Sequence, residues 1–341
     1  MSQLMNDYGS AFQPTTKEAR GYLARTLVRM YAPSEPTDPS IHFPDLPDTD
    51  PLYPYANVAV KMGWMQAAAD GTFQPAWTVR RASFDKALIL AMGLSEPAQG
   101  LANIHEADGT KYAVSSNFPY LQLAAYLGLH YNHRDESMDL QARTRMPRDE
   151  VAYSLWRART LPSWQTSGTS VFENVTLPTL DDSRPGQLAR QRMTGYALRQ
   201  VGYPYIWGGE WNSATRSGYC CGTQPQGGFD CSGFTWWVLK KSEDGYAAAS
   251  FRDYAGWSLH QRSSSQMAQY APTKIAFSNL KTGNLMFFSS SGGTTYRDVN
   301  HVGIYLGNGW MIHSTDGGPQ LQPVSSGWYP DHFVFGRALT P

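Results

Sequence analysis

One cysteine and two histidines are spaced for acyl chemistry. The stretch GGFDCSGFTWWVLKK, Gly227 to Lys241, sets Cys231 after an acid and before an apolar run. Gly227 and Gly228 end a loop, Asp230 is a capping residue type, and the pattern from Phe234 predicts a helix. Cys231 then heads that helix, where unpaired N–H groups favour the thiolate, the nucleophilic form. The stretch DVNHVGIYLGNGWMIHSTDGG supplies His301, which opens an alternating strand to Leu306, and His313 on the next strand. A thiol that attacks a carbonyl, an imidazole that moves its proton and a second imidazole that holds the first make an acyl-transfer set. In that set Cys231 is the nucleophile, His301 the base and His313 the orienting group. Zinc accepts the same three side chains, but no HExxH or paired-Cys spacing accompanies them. A coincidental core arrangement is the third reading.

The turn between the two strands decides whether the histidines meet. A two-residue loop of Asn308 and Gly309 sets Ile304 opposite His313 and puts His301 on the other face. A three-residue loop sets Leu306 opposite Trp310 and Gly303 opposite His313, so both histidines share a face, diagonally displaced. The sequence therefore predicts that loop, or another odd-length shift of register.

The elements that carry these residues form the second of two halves. The chain has 341 residues, enough for two domains, with 28 Lys and Arg against 28 Asp and Glu. That balance argues against a nucleic-acid partner, which wants a basic excess. No stretch reaches the roughly 18 apolar residues of a membrane span, and the opening MSQLMNDYGSAF shows no basic-then-apolar leader. Three cysteines make no complete disulfide framework; adjacent Cys220 and Cys221 read as local packing or redox-sensitive residues. No heptad run demands a dimer.

In the first half a phrase recurs, from Phe12 (FQPTTKEARGYLARTL), Phe73 (FQPAWTVRRASFDKALILAMG) and Asp139 (DLQARTRMPRDEVAYSLWRA). Each passes from a turn-like stretch to helical periodicity, as stacked helical units do. Lys17, Arg81 and Arg148 are read as matching basic positions. From Leu161 to Ser183 the text turns to Pro, Ser, Thr and Asp, a linker or an arm over the surface. We divide the chain into a helical repeat domain over 1–165, a linker over 166–184 and a second domain over 185–341.

The second half resembles the NlpC/P60 family of papain-like cysteine peptidases. Four phrases carry the resemblance in the family's order: YPYIWGG (Tyr203–Gly209), FDCSGF (Phe229–Phe234), GNLMFF (Gly283–Phe288) and HVGIYLGNGWMIHS (His301–Ser314). The resemblance implies an α+β fold with a central antiparallel sheet, Cys231 as nucleophile, His301 as base and His313 as third polar residue. It gives Tyr205 a role at the oxyanion, and makes Asp230 and Ser232 the receivers of a free N-terminal L-Ala amine. Asp230 reads equally as a simple cap. Arg262 and Gln266 match positions read as architectural. A long insertion, 210–228, adds Trp211, which with Trp207 is a candidate substrate contact. The implied reaction is hydrolysis of peptidoglycan stem peptides at the γ-D-glutamyl-L-diamino acid bond through an acyl-enzyme, with no metal or organic cofactor. Acyl transfer or another amide hydrolysis is the enzymatic alternative; a non-catalytic wall-binding protein is the other.

Residues 8 to 160 resemble degenerate surface-layer homology modules on the phrases GWMQAAADGTFQPAWTVRRASFDKALILAMGL and MPRDEVAYSLWRA. That implies a three-lobed helical domain in which Arg81, Arg148 and more loosely Lys17 hold secondary cell-wall polysaccharide. The two resemblances together imply a secreted or cell-wall protein, with cytosolic recycling of wall peptides as the competing location.

Overall fold

This computed structural model describes residues 4–5, 11–214, 224–240, 257 and 259–339. Cys220 and Cys221 lie outside the described residues. The N-terminal part is mainly helical: α1 (Arg20–Tyr31), α2 (Tyr53–Lys61), α3 (Arg81–Ala91), α4 (Ser95–Ala102), α5 (Phe118–Tyr126), α6 (Arg148–Thr160) and the short α7 (Ser163–Ser167).

Helices α1, α3 and α6 each begin on an arginine preceded by an extended residue. Their leading segments are tied in a cycle. The Arg20 N–H donates to the Trp77 carbonyl, Arg81 N–H to Thr144, and Arg148 N–H to Thr16. Isolated bridges Ala19–Thr78, Arg80–Arg145 and Lys17–Pro147 join the same three segments. The guanidiniums repeat the order: Arg20 Nε donates to the Phe73 carbonyl at 2.9 Å, Arg81 to Leu140, and Arg148 Nε to Phe12 at 2.9 Å. Arg20, not Lys17, is thus the counterpart of Arg81 and Arg148. Each of the three follows its Phe12, Phe73 or Leu140 by eight residues, and matching by charge alone had shifted the first repeat.

The segment from 161 to 184 is an arm fastened to both halves. Phe172 is fully buried and packs on Tyr126 of α5 at 4.8 Å and on Trp310 at 5.6 Å between ring centroids. Beyond it, β2 (Thr176–Leu177) pairs in parallel with β1 (His105–Glu106). Buried Glu106 accepts from the Leu180 N–H at 2.7 Å and from Gln191 at 3.0 Å. Helix α8 (Pro185–Leu198) then starts with proline in its first turn, where the missing N–H costs nothing.

The C-terminal part is built on a six-stranded sheet in which every pairing is antiparallel, in the order β5 (Lys274–Ile275), β10 (Phe333–Arg337), β6 (Leu285–Phe288), β7 (His301–Gly307), β8 (Trp310–Thr315), β9 (Gly318–Pro323). A separate two-stranded ladder pairs β3 (Glu210–Trp211) with β4 (Gly228–Phe229). Helix α9 (Cys231–Leu239) follows β4 and is buried along its whole length, as suits an apolar circumference. It packs on β7 and β8, whose Val302, Ile304 and Ile312 belong to the main core. Period-two alternation sends Met286, Phe288 and Met311 into a second cluster on the other face.

The two halves share that main core. The Gln122 amide of α5 bonds both the N–H and the carbonyl of Leu321 in β9, at 2.8 and 2.9 Å. Gln141 donates to the Gly227 carbonyl at 3.0 Å, beside the start of β4.

Candidate active site

Asp230 caps α9, and Cys231 is its first residue. The Asp230 carboxylate accepts from the Gly233 N–H, from Ser232 Oγ at 3.0 Å, from the Gly208 N–H at 3.0 Å and from Arg262 at 3.4 Å. Gly233 is required here: a Cβ would lie 1.9 Å from the Gly209 carbonyl oxygen. Arg262 is the hub beneath this turn. It bonds buried Glu210, donates to Ser232 Oγ at 2.8 Å, and reaches the Gly208 and Gly209 carbonyls. One guanidinium thus answers two carboxylates, Glu210 and Asp230, and the architectural reading of Arg262 agrees with these bonds. Glu210 was not singled out from the sequence; a lone acid in a Gly-Gly-Glu-Trp loop gives no sign that it will pair across 52 residues.

Cys231 is brought to the start of β7. Its thiol donates to the Asn300 carbonyl at 4.0 Å, and the N–H groups of Val302 and Ser232 face the sulfur. Those backbone contacts lie on both sides of His301. Burial pushes the thiol up to about 12, reinforced by the Asp230 charge, while the N–H groups and Arg262 pull the other way. The expectation that the helix N-terminus favours the thiolate is reversed here, because desolvation of the sulfur outweighs the oriented N–H groups.

His301 and His313 are bonded to each other, Nε2 to Nδ1, at 2.7 Å. The register is the odd one that places them on one face: Ile304 pairs with Ile312 and Tyr305 with Met311. Its origin differs from a three-residue loop. Gly307 faces Trp310 across a two-residue Asn308-Gly309 turn, and the shift of one residue occurs between Tyr305 and Gly307. Asn308 and Gly309 have φ of 49° and 78°, the signs a type I′ turn needs, so the tight turn and the parity are reconciled by a bulge. Gly303 follows His301 by two residues on β7 and lies close against His313 of β8. A Cβ there would sit 2.3 Å from Met311 Sδ and 3.1 Å from the His313 Cβ. The bare backbone leaves room for the diagonal contact.

Burial lowers His301 to about 4, partly offset by Asp230, and holds His313 well below its ordinary value, with His301 adding to the effect. Both rings are therefore neutral near pH 7. Each neutral imidazole has one donor and one acceptor nitrogen. If His301 Nε2 donates to His313 Nδ1, His301 Nδ1 is left with its lone pair and His313 Nε2 carries the hydrogen. His313 Nε2 then faces Tyr329 Oη at 3.5 Å, a neighbour the sequence did not point to.

Tyr205 is half-buried, and burial, then the proximity of Cys231 and Asp230, raises its hydroxyl above the ordinary value. It stays a neutral O–H donor. Glu136, from the N-terminal part, accepts from the Trp207 N–H and acts on Tyr205 through its charge. Trp207 itself is 66% exposed, and its ring is open to the outside. Trp211 is a correction: it lies in β3, is buried, and packs edge-on against Trp237 at 4.8 Å. Its ring belongs to the main core rather than to an open surface. Ser232 is also buried and fully engaged with Asp230 and Arg262.

The basic residues of the N-terminal part are not gathered into a surface. Arg148 is fully buried, paired with Glu18 at 2.6 Å and placed over the Phe12 ring at 4.8 Å. Arg81 is buried 3.6 Å from Asp85, which also bonds His130 at 2.7 Å. Lys17 alone of the three is exposed. Arg81 and Arg148 fasten one helix-leading segment to the next. Among the described residues no group of three or more His, Cys, Asp and Glu is placed to hold a metal ion, and no helix is long and apolar enough to cross a membrane.

Comparison with known proteins bears on the C-terminal part. Residues 202–337 match the NlpC/P60 family. Protein P54 of Enterococcus faecium is 36% identical over 138 residues, covering 40% of this chain and 20% of that protein. The bifunctional muramidase/DL-endopeptidase CwlT of Bacillus subtilis (strain 168) is 36% identical over 144 residues, 41% of this chain and 34% of the relative. Among solved structures, an NlpC/P60 family protein from Bacillus cereus ATCC 10987 is 25% identical, covers 49% of this chain and 42% of its own, and has a TM-score of 0.32. The chain thus spans 20% and 34% of the length of these two curated relatives.

Proposed function

We propose, from the premise that residues 202–337 form an NlpC/P60 domain, that this protein is a cysteine endopeptidase of bacterial peptidoglycan stem peptides. The bond cut is the one from γ-D-glutamyl to an L-diamino acid. The observation that carries the reading is the bonded His301–His313 pair on the strand whose first backbone groups hold the Cys231 sulfur.

In this mechanism the Cys231 thiol gives its proton to His301 Nδ1, the nitrogen that the bond to His313 leaves with its lone pair. The sulfur attacks the carbonyl carbon as His301 takes the proton, and the oxyanion is met by the Cys231 N–H and the Tyr205 O–H. Collapse breaks the C–N bond, and His301 returns its proton to the departing amine. Water, deprotonated by His301, then attacks the thioester carbon, the C–S bond breaks to release the γ-D-glutamyl acid, and His301 returns the proton to the Cys231 sulfur. The neutral thiol and neutral imidazole make this a general-base attack rather than one by a resident ion pair. His313 keeps the His301 ring oriented and accepts from it once it is charged. Asp230, with Ser232 beside it, supplies the negative charge that an L-Ala ammonium would meet; Trp207 offers an open ring at the same edge.

The three-lobed, surface-layer-homology-like reading of residues 1–165 belongs to this proposal too, supported by the cyclic bonding of the three helix starts. So does a wall-facing location outside the membrane, with the fastened arm of 166–184 holding the second domain at 185–341 against it. Mass spectrometry of products from tri- and tetrapeptides with free and blocked N-termini tests the function. Fragments ending in γ-D-Glu, absent with Cys231→Ala, support the endopeptidase. Thiol labelling at Cys231 with no peptide cleavage would move the assignment to other acyl chemistry, and neither result would leave a binding protein.

A further inference from the structure

A large cavity lies away from Cys231, at the seam between the arm, α8 and the far end of β7. It measures about 740 Å³, within the size range of small-ligand sites. Three cations line it, Arg184, Arg190 and Lys281, and no carboxylate does. Among the described residues none of the three has a carboxylate within 4.0 Å. Arg190 spans the wall, donating to the Thr282 carbonyl at 2.9 Å and the Gly186 carbonyl at 2.8 Å. Its charge is lowered in affinity for its proton by burial alone, with no acid offsetting it. The remaining lining is mixed: Gln187, Thr282 and Asn308 are polar, and Pro178, Leu180 and Leu280 supply an apolar stretch of wall.

The walls are preformed. Pro178 packs so closely on the hairpin that a Cβ at Gly307 would lie 2.2 Å from its ring. Asn308 Nδ2 donates to the Thr176 carbonyl at 3.2 Å, and Glu106 holds the Leu180 N–H. The first turn of the 14-residue α8 borders the same space and adds the positive end of its dipole. His301 and Gly307 are the two ends of β7, so at a rise of ~3.3 Å per residue the cavity lies roughly 20 Å from the catalytic imidazole.

We propose that this cavity is a binding site for a phosphate-bearing polyol or sugar, distinct from the peptide cleft, with Arg184 and Lys281 meeting the phosphate oxygens and the apolar wall taking the carbon chain. A free small phosphate ester and a phosphodiester polymer share this chemistry, and calorimetric titration separates them. The probes are glycerol 3-phosphate, a poly(glycerol phosphate) oligomer and uncharged glycerol, against the full chain and the doubly reversed variant Arg184→Glu/Lys281→Glu. Both positions are exposed, and stem-peptide cleavage by the variant, expected unchanged, reports that it folds. The expected result is saturable, salt-sensitive binding of a phosphate probe that weakens at least about tenfold in the variant, since charge-assisted bonds carry it. Tighter binding of the oligomer identifies a polymer; equal binding of the monomer identifies a small ester. Equal affinity of the two proteins, equal binding of glycerol, or no binding of either phosphate probe at millimolar concentration overturns the site. An unchanged far-UV spectrum and thermal midpoint report the fold of the variant independently of cleavage, so none of these outcomes depends on whether the peptide cleft is active.

Discussion

Two sets of residues at helix starts stand out in this chain, and they do opposite work. In the N-terminal part the recurrent Arg20, Arg81 and Arg148 head their helices, where a cation opposes the helix dipole, and each is answered by a carbonyl of the next segment. In the C-terminal part Asp230 and Cys231 start α9 with the favourable sign at the cap, and the contacts they gather come from three different strands and loops. Residues that repeat along a chain are serving a repeated packing need. Residues that converge once, from unrelated elements, are candidates for chemistry.

The comparison breaks most sharply if the two sets are exchanged in their effects. His301→Gln removes the base while keeping a polar side chain, and we expect kcat/KM on stem peptides to fall by roughly 10³-fold or more, with the thermal midpoint little changed. Arg148→Met should do the reverse. It leaves Glu18 buried without its partner at 2.6 Å, a loss of about 3–5 kcal/mol by analogy with broken buried pairs, read by denaturant unfolding. Adding Glu18→Gln should recover part of that loss, because burial already pushes Glu18 up to about 7 and the orphaned charge is the costly element. An Arg148→Met protein that is fully stable but unable to cleave would mean that the division drawn here is wrong.

A smaller effect sharpens the site itself. His313→Asn, which keeps an acceptor but not the ring, should lower kcat by about 10- to 100-fold and leave KM nearly constant, since it acts only through the orientation of His301. A KM effect of the same size would place His313 against the substrate instead.

The sequence made some of this legible and hid the rest for identifiable reasons. Asp230, Cys231 and the helix after them were readable because capping is local. The meeting of His301 and His313 was readable because strand faces alternate, so only the parity of the register mattered. How the parity arises was not: Asn308-Gly309 favours a two-residue turn, and the bulge lies before Gly307, a glycine against which Pro178 and Thr282 pack from distant parts of the chain, which no short-range pattern reveals. Trp211 was misplaced because an aromatic ring in a Gly-rich loop looks available until its cross-strand partner is known. Lys17 was misplaced because charge was matched rather than the Phe-Gln-Pro frame that precedes Arg20.

The smallest effect near neutral pH is also the one that separates the two ways a thiol and an imidazole can work. With His301 lowered to about 4 and Cys231 raised to about 12, both groups are uncharged across the whole range between. A general-base attack then gives kcat/KM that is flat from about pH 6 to 9 and falls tenfold per unit only as His301 gains its proton near pH 4. A resident thiolate–imidazolium pair instead gives a bell, because either proton change destroys it. Stability moves with the same proton. His301 binds it less readily folded than unfolded, so stability is present above pH 6.5 and declines as the pH falls toward 4. Initial rates must therefore be taken after brief exposure to acid, alongside a far-UV spectrum at each pH. An acid limb near 6.5 with the fold intact would show a solvated, ionisable imidazole, and the buried general base would have to be abandoned.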